Sequence, residues 1–132
     1  MAGKRAVAVP LGGVIRLAAG ETRVRTLPID HPDAVVALYL QGASRKLSNR
    51  ARFYLMGQVL NAPFYQSLRT EQQMGYFVFS GAMDMMQLPG LVFVVQSPNQ
   101  GPDVIEAAVN LSLIHISEPT RRYAISYAVF CL

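Results

Sequence analysis

Apolar positions along this chain fall into two rhythms. Residues 23–27 (RVRTL) alternate polar and apolar side chains, the period of a strand. Pro28 and Pro32 break that run, and residues 34–41 (AVVALYLQ) are β-branched and aromatic enough for a buried strand. After a turn at Gly42 to Ser44 the spacing changes. From Ser48 onward, Phe53, Met56, Gly57 and Leu60 recur at three- and four-residue intervals, which predicts an amphipathic helix. Asn61-Ala62-Pro63 is expected to interrupt it, with Pro63 opening a second, shorter helix, because its missing N–H has no partner in a first turn. Phe64, Leu68 and Met74 give that helix an inward side, and Gly75 suits a left-handed stop. Residues 76–80 (YFVFS) and 91–96 (LVFVVQ) are nearly continuous apolar runs, expected as strands covered on both faces and joined by a loop containing Pro89-Gly90. Residues 102–110 (PDVIEAAVN) start another helix, while residues 5–19 show no clear rhythm. Adjacent strand pairs with grouped helices predict an α+β fold, an antiparallel sheet with helices on one face.

Composition adds a qualification. At 132 residues the chain fits one domain, but 52% of it is hydrophobic and only 15% charged, against roughly 25% charged in an average soluble domain. That excess suggests that much apolar surface is meant to be covered, with chain beyond these residues as one candidate for the cover. No run of about 18 apolar residues is present, and no membrane span is expected. The opening MAGKRAVAVPLGG has too short an apolar stretch for a signal peptide. The net charge of +4 raises nucleic acid as a partner, and Arg45, Lys46, Arg50 and Arg52 form the local basic cluster. They read as a phosphate-binding patch or as a solvated helix start. With no aromatic RNA-binding motif or recognition helix beside them, the expectation is no nucleic acid.

The last residues, LSLIHISEPTRRYAISYAVFCL, resemble a translated sequencing adapter. Residues 111–121 match one reading frame of the adapter letter for letter; Arg122, Tyr123 and Ala124 occupy its variable barcode; residues 125–132 match the constant region beyond. Residues 111–132 are therefore expected to be a non-native tail, packing little except as an extension of the preceding helix. Residues 1–110 are the genuine, partial domain. On this reading Cys131, the only cysteine, and His115 and Glu118 carry no chemistry, and the charge of residues 1–110 falls to +3.

The genuine part holds few candidates for chemistry. His31, in IDHPDAV, has no ligand partner at a useful spacing and reads as a turn histidine. Asp84 with Glu71, and Asp30 with Asp33, are carboxylate pairs without context. Met83, Met85 and Met86 read as loop or cover for apolar surface. No nucleophile–histidine set can be assembled.

The stretch NAPFYQSLRTEQQMGYFVFSG, residues 61–81, resembles a block in the last domain of the C-terminal half of the pitrilysin/insulinase family of zinc metallopeptidases. The shared letters are Leu68, Arg69, Thr70, Gln73, Gly75, Tyr76, Val78 and Phe79; Met74 stands where the family usually has Leu. GLVFVVQS (90–97) resembles the family's next strand, and DHPDAVVALYLQ (30–41) fits more loosely. The resemblance implies a clamshell peptidase. Its other half carries an H-x-x-E-H motif and Zn²⁺, and the present half holds the peptide. This chain is then expected to supply no catalytic or metal-binding residue and to cut nothing alone, with the N-terminal zinc-bearing half and a peptide as its partners. Arg69 and Tyr76 are the implied substrate-binding pair: a guanidinium fork can hold substrate carbonyls, and a phenol can donate to a developing oxyanion. An alternative within the same resemblance is a metal-free binding or assembly subunit of a two-subunit peptidase. A small RNA-binding domain is the third reading, which would require strongly salt-dependent oligonucleotide affinity.

Overall fold

A computed structural model describes residues 12–117 and 126–131 of the chain. Residues 1–11, 118–125 and 132 lie outside the described residues, so the sequence readings on Glu118 and on Arg122, Tyr123 and Ala124 fall there. The elements run β1 (Thr22–Thr26), β2 (Ala34–Gln41), α1 (Leu47–Tyr65), a π-helical turn (Gln66–Glu71), β3 (Phe77–Met85), β4 (Leu88–Ser97), α2 (Pro102–Ser117) and β5 (Ser126–Cys131). One five-stranded sheet has the order β1-β5-β2-β4-β3. β2, β4 and β3 form its antiparallel centre, and both helices pack on one face, the predicted α+β layer.

Register explains how the core is built. Val36, Leu38 and Leu40 of β2 stand opposite Val95, Phe93 and Leu91 of β4, all on the helix side. Phe53 and Phe64 of α1, Leu68 of the π-helical turn, and Ile105, Ala108 and Val109 of α2 close over them. The rings of Phe64 and Phe93 meet tilted, with centroids 4.9 Å apart, a favourable aromatic geometry. Gly57 lets α1 lie close on β3: a Cβ there would fall 2.7 Å from the Ala82 nitrogen.

Three local expectations are corrected. α1 does not break at Asn61-Ala62-Pro63 but runs through Pro63. The bond that Pro63 cannot make belongs to the Val59 carbonyl one turn earlier, and both residues lie on the exposed side of the helix, where water can reach that carbonyl. The inward series Phe53, Gly57, Phe64 and Leu68 therefore continues along one helical stripe. The β3–β4 connection is a tight turn at Met86-Gln87, both at positive φ (49° and 66°). This is the backbone of the short hairpin turns, here without the usual glycine or asparagine. Pro89-Gly90 instead lies inside β4, where the Tyr39 ring occupies the space a Gly90 side chain would need. Nor is β3 covered on both faces: Phe77 and Phe79 point away from the helices and stand about half exposed.

The tail also departs from expectation. α2 runs past Asn110 to Ser117, as a helix extension would. Beyond it, however, the β5 backbone pairs antiparallel with β2 and parallel with β1. The segment SYAVFC is rich in strand-forming residues, and the edge of β2 offers unpaired N–H and C=O groups to any such segment.

Candidate functional site

The helix that carries Arg69 ends in an unusual way. After Tyr65 the backbone widens into the π-helical turn, with Gln72 N–H donating to the Ser67 carbonyl (3.0 Å) and Met74 N–H to Leu68 (2.9 Å). Such π segments are rare and recur at functional sites. In this chain a polar cluster ties it to α2 at Ser112, one of the residues read as a non-native tail: Gln72 Nε2 donates to both Ser67 Oγ and Ser112 Oγ at 3.0 Å, and the two hydroxyls are 2.9 Å apart. The left-handed residue that reverses the chain is Gln73 (φ 49°), not Gly75 as the sequence suggested. Gly75 is required by space instead, since a Cβ there would lie 2.1 Å from the Gln96 carbonyl oxygen of β4.

This local path brings the two predicted residues together. Arg69 and Tyr76 line one cavity of about 530 Å³ together with Thr70, Gln73, Gly75, Ser97, Pro98 and Asn99. Arg69 Nη1 donates to the Gly75 carbonyl at 3.2 Å, bridging the loop that leads to Tyr76. The segment after β4 that lines the cavity is ordered by Ser97 Oγ, which accepts the backbone N–H groups of Asn99 (3.3 Å) and Gln100 (3.2 Å).

Asp33 and Gln96 complete the arrangement, and neither was singled out as a site residue from sequence. Tyr76 Oη donates to Asp33 Oδ2 at 2.7 Å, and Gln96 Nε2 donates to the same oxygen at 2.9 Å. The Tyr76 hydrogen bond, and then that of Gln96, hold the Asp33 carboxyl below its ordinary value, against the opposing effect of burial. The same Asp33 bond pushes the Tyr76 phenol up. Sheet register is what assembles the group: Gln96 lies between Val35 of β2 and Phe77 of β3, so the residues just before those two strands converge at one end of the sheet.

The remaining candidates lie elsewhere. His31 sits in the turn before β2, where its Nδ1 accepts the Asp33 N–H at 3.1 Å. Asp84 pairs with Arg50 (2.7 Å) rather than with Glu71, so Arg50, about a third exposed, is held in an ion pair. Met83 and Met85 belong to β3 and Met86 to the turn. Among the described residues no group of three or more His, Cys, Asp and Glu side chains could hold a metal ion. Among the described residues, no helix is long and apolar enough to cross a membrane.

Comparison with known proteins places the chain in a family. The family described as "PQQ synthase PqqF-like, C-terminal lobe domain 4" matches residues 55–122. The coenzyme PQQ synthesis protein F of Pseudomonas protegens is 35% identical over 94 residues, covering 71% of this chain and 11% of that protein. The insulin-degrading enzyme of Homo sapiens is 32% identical over 84 residues, covering 64% of this chain and 8% of its own length. The chain thus spans about a tenth of the curated relatives it matches. Its fold resembles part of the crystal structure of pitrilysin, with a TM-score of 0.58 at 14% identity over 86% of this chain and 20% of that one. With the family match running through the π-helical turn, β3, β4 and α2, the chain belongs to the PqqF-like C-terminal-lobe domains of the pitrilysin/insulinase family of metallopeptidases.

Proposed function

We propose that this chain is part of the zinc-free lobe of a zinc metalloendopeptidase, and that the Arg69–Tyr76 cavity holds the peptide at its scissile region. One observation carries the reading: two side chains seven positions apart, on a helix end and at a strand entrance, open onto one cavity. Arg69 offers several N–H donors in a rigid fork for substrate carbonyls. Tyr76 offers a hydroxyl at the same wall, able to support an oxyanion once its proton leaves Asp33. Zinc belongs to the other half of the enzyme, which is the partner of this lobe, and the chain alone hydrolyses nothing. In the full-length parent enzyme, Tyr76→Phe should lower kcat/KM about tenfold to a hundredfold, and Arg69→Lys should weaken peptide binding because the charge stays while the fork is lost. Wild-type kcat/KM in both variants, in well-folded enzyme, would remove the assignment.

Residues 111–132 are read in the same proposal as foreign to the natural protein, on their two matches to the adapter frame on either side of a three-residue interval. An independent read of the genomic locus should diverge from this chain directly after the codon for Asn110. A natural gene encoding the same tail would overturn that reading. The upstream sequence separates the enzyme lobe from a metal-free assembly subunit, since H-x-x-E-H in the same frame belongs to the first alone.

A further inference from the structure

A phenol has one proton to donate, and here Asp33 holds it. Tyr76 Oη donates to Asp33 Oδ2 at 2.7 Å, and an ionised carboxylate can only accept. The carboxylate is itself fixed: Gln96 Nε2 donates to the same oxygen at 2.9 Å, and the Asp33 N–H is tied to His31 Nδ1 at 3.1 Å. The Asp33 side chain is only 11% exposed, whereas Tyr76 is 54% exposed and lines the cavity. What Tyr76 presents outward is therefore lone pairs. Arg69, which lines the same cavity, can only donate. An acceptor beside a donor is the complement of an extended peptide backbone, which offers both an N–H and a C=O.

We propose that Asp33 is a positioning residue that sets the polarity of this wall, so that Tyr76 takes a substrate N–H while Arg69 takes a substrate carbonyl. The inference rests on the reading of the cavity as a peptide site and adds which backbone group each side chain meets. Tyr76 contributes to substrate binding as an acceptor; donation to an oxyanion falls at a later stage, after the O–H has left Asp33.

The test uses the full-length parent enzyme and a series of peptide substrates in which one backbone amide at a time is replaced by an ester, which removes a single N–H. At one position the ester should raise KM about fivefold, the worth of one neutral hydrogen bond. Tyr76→Phe should abolish that penalty. Asp33→Ala, which frees the hydroxyl to turn its proton outward, should reduce the penalty to about twofold or less on the same scale. A merely structural role of Asp33 would affect amide and ester substrates alike. An ester penalty that is the same in wild type and Tyr76→Phe overturns the proposal, as does one undiminished in Asp33→Ala. Should Asp33→Ala fail to fold, the Tyr76→Phe arm decides by itself. If Tyr76→Phe slows turnover of the all-amide substrate but no ester position depends on Tyr76, the polarity assignment falls while the peptide site stands. If Tyr76→Phe and Arg69→Lys both leave the all-amide substrate unaffected, the peptide site falls as well.

Discussion

Gly75 is the position at which the least chemical change should do the most harm. Its backbone φ is not in the left-handed region, so an alanine there meets no conformational penalty of its own. The obstacle is space. The added Cβ would sit 2.1 Å from the Gln96 carbonyl oxygen and 2.9 Å from its carbon, and a gap of about 1 Å must open before the contact becomes ordinary. A flexible side chain could swing aside, but this neighbour is backbone, in a ladder position paired with Val35 on one side and Phe77 on the other. Overpacking of this kind costs about 1–3 kcal/mol, and the lack of a soft neighbour argues for the upper part of that range. The displaced element is the loop between Arg69 and Tyr76, whose Gly75 carbonyl Arg69 holds at 3.2 Å. A misplacement of about 1 Å in a positioning group can cost about a hundredfold in rate. Gly75→Ala in the full-length enzyme should therefore lower Tm and reduce kcat/KM by one to two orders of magnitude, roughly. Gly13→Ala, where a Cβ meets nothing within 4 Å, is the control and should change neither. Wild-type Tm and kcat/KM for Gly75→Ala would refute the packing argument.

The helix-side core was legible from spacing alone, because Phe53, Gly57, Phe64 and Leu68 keep one stripe even where the expected helix boundary was wrong. Pro63 misled because the cost of a proline inside a helix depends on whether the orphaned carbonyl faces water, which no local pattern reports. Pro89-Gly90 misled because a turn signal in sequence can equally mark a close approach, here of the Tyr39 ring. Arg69 and Tyr76 were found through a family resemblance, not through spacing. Asp33 could not have been found that way: it reaches Tyr76 across 43 positions, through a strand register that exists only after β2, β4 and β3 have paired.

Two further outcomes follow from the charged groups. Arg50→Ala should destabilise by about 1–3 kcal/mol, because it leaves the partly buried Asp84, whose Oδ1 already lacks a partner, without its cation. Arg52→Ala, on the exposed side, should stay within about 0.5 kcal/mol by chemical denaturation. The Asp33 carboxyl, held below its ordinary value of 3.8 chiefly by the Tyr76 hydroxyl, contributes to stability above that value and loses the contribution as pH falls through its depressed one. Tyr76→Phe should move the Asp33 midpoint upward, read from the pH dependence of its carboxyl carbon resonance.

The central claim, that a peptide lies against the Arg69–Tyr76 wall, is open to direct capture. A photoreactive residue replacing Asn99, an exposed position lining the same cavity, can be irradiated in the full-length enzyme with a bound, uncleavable peptide. Met86, exposed at the far end of the β3–β4 hairpin, is the reference position. The account predicts cross-linking from position 99 to peptide residues beside the scissile bond, competed by unlabelled peptide, and none from position 86. Cross-links from position 86 alone, or equal and uncompeted from both, would contradict it.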